Sequence, residues 1–163
     1  MHDSDFNKQG LVYIKEAEAE KLKNVEVKEN DVLLNITGDS ICRTSIVPNE
    51  ILPARVNQHV AILRANDRLH YKYLFHYLSL FSSKKILLTY NAGGTKNAIT
   101  KAIIEEFCIP LPQMEEQILI SEALIKIEQK LKYDNLVLNS ILSLKSALMQ
   151  VLLTGQVRIR KEA

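Results

Sequence analysis

The chain has 163 residues, 47% hydrophobic and 25% charged, a balance that excludes a disordered polypeptide. No uninterrupted apolar run reaches about 18 residues, so no membrane span is expected, and the polar, acidic opening MHDSDFNKQG is unlike a secretory leader. The net charge of +2 is unevenly spread: residues 1–31 carry five basic against eight acidic side chains, 32–104 nine against three, and 105–163 seven against eight. A basic middle between acidic flanks suits a surface that faces a polyanion. Cationic side chains scattered over a solvated surface would give the same count. Cys42 and Cys108 lie far apart with no metal-ligand spacing, which suits reduced thiols in a cytoplasmic protein.

In chain order, Leu11–Ile14 reads as a short strand and Lys15–Asn24 as a helix of good helix formers. Val25–Asn30 reads as a loop. Asp31–Thr37 and Ile41–Val47 read as strands around Gly38-Asp39, and Asn57–Arg64 as a third after a loop bracketed by Pro48 and Pro53. Asp67 is placed to cap a helix whose Tyr71, Leu74, Leu78 and Phe81 share one face. Residues 91–100, NAGGTKNAIT, are the most loop-like stretch. A helical turn over Thr100–Glu106 and a last strand at Phe107–Ile109 follow. The fold class is therefore α+β.

From Pro112 the sequence changes character. Residues 113–153 contain neither glycine nor proline, Glu115 and Glu116 sit where a helix dipole favours acids, and Thr154-Gly155 supplies the stop. A helix of that length is about 60 Å long. Ile120, Leu124, Ile127, Leu131, Leu138, Ile141, Leu148 and Leu152 follow a heptad-like period, with Asp134 and Lys145 interrupting it. Such a stripe demands a partner helix, so a coiled coil is expected. The resulting division is 1–111 globular domain, 112–155 long helix and 156–163 basic tail.

The inventory of chemistry is sparse. No phosphate-binding Walker loop, dinucleotide turn or zinc cluster is present, and His59, His70 and His76 lack partners at ligand spacing. No catalytic residue, metal ligand or cofactor is expected. Gly93-Gly94-Thr95-Lys96-Asn97 is the best binding candidate, because paired glycines admit a phosphate close to backbone N–H groups. A plain surface turn reads the same way. Asn91, Thr95, Lys96, Asn97 and Lys101 form the favoured nucleic-acid cluster, with Arg43, Lys84 and Lys85 as backbone contacts. Asn57-Gln58-His59 has suitable chemistry but reads as a strand-start element.

Five segments occur in order: DVLLNITGDSI (Asp31–Ile41), VNQHVAILR (Val56–Arg64), the GGT loop (Gly93–Thr95), IPLPQMEEQ (Ile109–Gln117) and LKSALMQVLLTGQVR (Leu144–Arg158). Together they resemble the specificity subunit of type I restriction–modification systems, over roughly Leu11 to Arg160. The resemblance implies a target recognition domain followed by a conserved spacer helix. In that family two such domains read the halves of a split DNA sequence, while methylation, translocation and cleavage belong to the modification and restriction subunits.

One domain and one helix stand here where two of each are usual, and the family's opening strands are missing before Gly10–Lys23. The resemblance thus implies a C-terminal fragment or a truncated reading frame. Cys42 stands where the family often has glycine. The expected partners are double-stranded DNA, the modification and restriction subunits, and a second copy through antiparallel helices. An alternative is an assembly fragment that docks modification subunits without reading DNA.

Overall fold

The computed structural model describes Phe6, Lys8, residues 10–89 and residues 98–159. The chain divides into two units, Met1–Ser121 and Glu122–Ala163. The first is an α+β domain; the second continues a long helix that begins in the first. Helix α1 spans Glu16–Lys21, shorter than its composition suggests, and a single 3-10 turn follows at Lys23–Val25. Leu11–Ile14 is an exposed, unpaired stretch rather than a strand, with Tyr13 99% exposed.

Among the described residues five short strands follow: β1 (Glu26–Val27), β2 (Val32–Asn35), β3 (Thr44–Ile46), β4 (Ala54–Arg55) and β5 (Val60–Leu63). They make an antiparallel sheet in the order β3-β2-β5 and a separate antiparallel pair β1-β4. Strand β1 lies in a segment that reads as a loop, and β4 just after the loop bracketed by Pro48 and Pro53. Two residues each are too few to show a periodicity, so pairing across distant sequence defines them.

Strand β2 is central, and side chains alternate across its two faces. Val32 enters a core with Leu74, Phe75, Leu78, Leu87, Ile99 and Cys42; Leu33 enters a second one with Val27 and Val47. At the start of β2 the buried Asp31 carboxylate accepts two bonds from Arg64, each 2.7 Å, and one from the Lys28 N–H at 2.7 Å. This bidentate pair joins β2 to the end of β5.

The aromatic segment makes two helices, α2 (Tyr71–Ser79) and α3 (Phe81–Thr89). Leu80 is extended (φ −61°, ψ 139°) between them. Ser79 Oγ donates to the Phe75 carbonyl at 2.8 Å and meets Thr44 Oγ1 at 2.9 Å, tying the end of α2 to β3. The break moves Phe81 off the buried face, where it is 82% exposed. Asp67 caps nothing; α2 begins after an extended His70. Its backbone N–H donates at 2.8 Å to Gln117 Oε1, from 47 residues away.

Thr100 Oγ1 accepts the Ile103 N–H at 3.4 Å at the start of helix α4 (Lys101–Glu106). Phe107–Ile109 then runs without a strand partner. It is held by packing of Phe107 near Tyr77 and by Tyr73 Oη donating to the Pro110 carbonyl at 3.1 Å.

Helix α5 runs unbroken from Met114 to Leu153, through Asp134 and Asn135. Asp134, one of the polar interruptions, is satisfied within the helix. Lys130 Nζ lies 2.7 Å from Asp134 Oδ1, and Ser140 and Ser143 donate to the carbonyls of Leu136 and Asn139. Gly155 takes φ +75°, its N–H donates to the Leu152 carbonyl, and the Val157 N–H reaches the Val151 carbonyl, a glycine-dependent helix stop.

By length and composition α5 is also apolar enough to cross a membrane, with none of that stretch buried. The sequence expectation looked for an uninterrupted run. A helix that packs its apolar stripe on a partner helix meets the same length and composition, so this property alone does not assign α5 to a membrane.

Candidate nucleic-acid interface

Four chain segments converge where β2 ends. On one side the Asn35 N–H donates to the Arg43 carbonyl at 2.8 Å, and the Cys42 N–H returns to the Asn35 carbonyl at 2.9 Å. This closes the turn that carries Gly38, Asp39 and Ser40. Gly38 has φ +74° and Cys42 φ +64°, so the turn uses the left-handed region twice. Cys42 Sγ lies 4.0 Å from the Lys84 carbonyl, which places α3 against the same turn. Arg43, Lys84 and the exposed Lys85 are thus brought to one flank.

On the other side the Ile36 N–H donates to the His59 carbonyl at 2.9 Å, and the Ile36 carbonyl accepts the Ile99 N–H at 2.8 Å. Thr37 bridges to Ala98, two residues before the Thr100 cap of α4. The exposed Lys101 follows, 3.4 Å from the exposed Glu105. Exposed pairs of this kind hold weakly, so Lys101 can exchange its partner for a phosphate. Asn91, Thr95, Lys96 and Asn97 lie outside the described residues.

Electrostatics here follow burial. Half-burial of Lys84 pushes its ammonium below the ordinary lysine range, and burial of Cys42 pushes its thiol above the ordinary value. Arg64, a strand-end cation in the sequence, is committed to Asp31; that hydrogen bond raises its pKa further. It is therefore part of the fold rather than a free contact.

Sequence reasoning passed over Gln117 except as part of a motif. Its side chain is fully buried. Its Oε1 accepts the His70 N–H, and its Nε2 donates to the carbonyls of Arg68 at 2.9 Å and Pro112 at 2.8 Å. Ser121, also buried, donates to the Gln117 carbonyl at 2.7 Å. Gln117 thereby fixes the first turn of α5 to the loop ahead of α2. A glutamine on the predicted apolar side of a helix start was the available signal.

Comparison with known proteins brings these features together. Residues 3–143 match the family described as type I restriction modification DNA specificity domain. A Methanocaldococcus jannaschii protein, named as the specificity subunit of a type I restriction enzyme, MjaX, is 28% identical over 136 residues, or 82% of this chain and 30% of that protein. A chain in a solved structure concerning complex assembly and conformational transition of the type I R-M system superposes with a TM-score of 0.62 at 26% identity, covering 77% of this chain and 30% of that one. The chain therefore spans about a third of the length of these relatives.

Proposed function

Because the chain belongs to the type I restriction modification DNA specificity domain family, we propose that it supplies sequence specificity to a type I restriction–modification complex. In this reading it contacts one half of a split duplex target and positions modification subunits along its long helix. It is not itself an enzyme; methylation and cleavage are performed by the partner subunits, in the cytoplasm where the DNA lies. The observation that carries the reading is a family match that runs through both the globular unit and most of α5.

Arg43, Lys84 and Lys85 on one side of the end of β2 and Lys101 on the other support it, since cations there can fix the domain on phosphate while neighbouring polar side chains face the bases. A second reading, an assembly fragment that docks modification subunits without reading DNA, is favoured by the apolar exposure of α5.

Binding to labelled duplexes at rising salt separates the two. A specificity module should retain a sequence preference against excess competitor DNA, whereas a basic patch alone binds all sequences and weakens steeply with salt. Co-purification with a modification subunit but without any sequence preference would favour the assembly reading. Replacing Lys96 and Lys101 by alanine should lower the salt slope by up to about two.

A further inference from the structure

The geometry points to Gln58 as a base-reading residue matched to adenine, presented by a polar platform at the start of β5; this rests on the DNA-specificity reading above. Asn57, Gln58 and His59 are all exposed, immediately before β5 and beside the end of β2. They do not form an undifferentiated polar turn. Asn57 Oδ1 accepts the His59 N–H at 3.0 Å and so holds the turn. His59 Nδ1 lies 2.6 Å from Thr37 Oγ1, and Gln58 Nε2 lies 3.3 Å from His59 Nε2.

An amide nitrogen only donates, so with Nε2 turned toward the ring Gln58 is the donor to His59 Nε2, while Thr37 Oγ1 holds the other ring nitrogen. The Gln58 amide has two N–H donors and one carbonyl oxygen. One N–H is spent on His59, which leaves one donor and one acceptor. That pair complements the major-groove edge of adenine, with N7 as acceptor and the N6 amino group as donor. Guanine presents two acceptors and would leave Oε1 without a partner. Because the side chain rests on a ring that Thr37 already holds, less ordering entropy is lost on binding. Thr37 and His59 are positioning residues; Thr37 also bridges to Ala98, which keeps the platform beside the Lys101 flank.

The test is selection by the full chain from a pool of randomised duplexes. Wild-type protein should select a sequence containing an adenine whose preference falls about 5- to 150-fold in Gln58→Ala, with the salt slope unchanged. Gln58→Glu should move that one position toward cytosine, whose amino group a carboxylate accepts. Thr37→Val should loosen the same position and Thr37→Ser restore it, a pattern that general destabilisation would not produce. If wild type selects a sequence and Gln58→Ala selects the same one at every position, Gln58 is not a reader and this inference falls alone. If wild type selects none, the specificity reading falls with it.

Discussion

Cys42 stands at φ +64° with its side chain buried in the core beside Val32 and Leu74. An L-residue in that region costs about 1–2 kcal/mol, and glycine escapes the cost. Cys42→Gly therefore exchanges backbone relief against lost packing and a freer unfolded chain, and its urea midpoint should shift by less than about 1 kcal/mol of stability. Cys42→Val, β-branched where φ is positive, should lose about 2 kcal/mol or more; equal stability of the two variants would contradict this account. Lys84, on the adjoining helix, gives a pH signature. Its depressed pKa means that, as pH rises, its ammonium loses charge before an ordinary lysine does. If it contacts phosphate, DNA affinity should weaken on the alkaline side earlier in wild type than in Lys84→Arg, whose guanidinium stays charged. Superimposable pH profiles of the two proteins would remove Lys84 from the interface.

Among the elements, the start of α5 depends on one amide. Gln117→Leu keeps the volume but strips partners from the His70 N–H and from the carbonyls of Arg68 and Pro112. An unsatisfied buried group costs about 1–3 kcal/mol, so a loss of about 2–4 kcal/mol is expected in denaturant unfolding, with water reaching part of the site. A loss below about 1 kcal/mol would mean that the start of α5 is held by other contacts. Gln117 also shows where the sequence could be read and where it could not. The span of α5 was legible because proline entry, forty residues without a breaker and a glycine stop are local signals. Strands β2, β3 and β5 were legible in kind, but their ends were trimmed: Ile41 and Cys42 went to a turn and Asn57–His59 to the approach to β5. The break at Leu80 has no glycine or proline to mark it and lies beside the Ser79–Thr44 contact across 35 residues. Strands β1 and β4, the Arg64–Asp31 pair and the role of Gln117 are likewise long-range pairings, invisible to a pass along the chain. At the candidate site, Lys101, Arg43 and Lys84 were picked by charge alone, while the grouping of His59 with Thr37 required the sheet register.

For the molecule as a whole, the open question is what covers α5. Ile120, Leu124, Ile127, Leu131, Leu138, Ile141 and Leu148 are exposed along it, and Leu152 is half-exposed. Burying each such side chain fully is worth about 1.5–3 kcal/mol, enough in sum to drive association against its entropic cost. A second copy is the proposed partner, and an isologous two-fold pair is the simplest closed arrangement. The charge pattern selects the direction: Glu115, Glu116 and Glu122 lie toward one end, Lys145, Arg158, Arg160 and Lys161 toward the other. Antiparallel helices place unlike charges together, and parallel ones stack like on like. Lys130 satisfies Asp134 within its own helix, so a proposed dyad near the middle of α5 rests on the apolar residues around it. Light scattering at micromolar concentration should give a dimer, and Leu131→Glu with Leu138→Glu should return it to monomer without altering the fold of the globular unit. In a Cys108→Ser background, Asp134→Cys should form a disulfide-linked dimer readily, whereas Leu124→Cys should not, since antiparallel pairing separates its two copies. A ready cross-link at 124 would establish parallel pairing instead. A wild-type monomer that partitions onto lipid vesicles would assign the apolar face of α5 to a membrane rather than to a second copy.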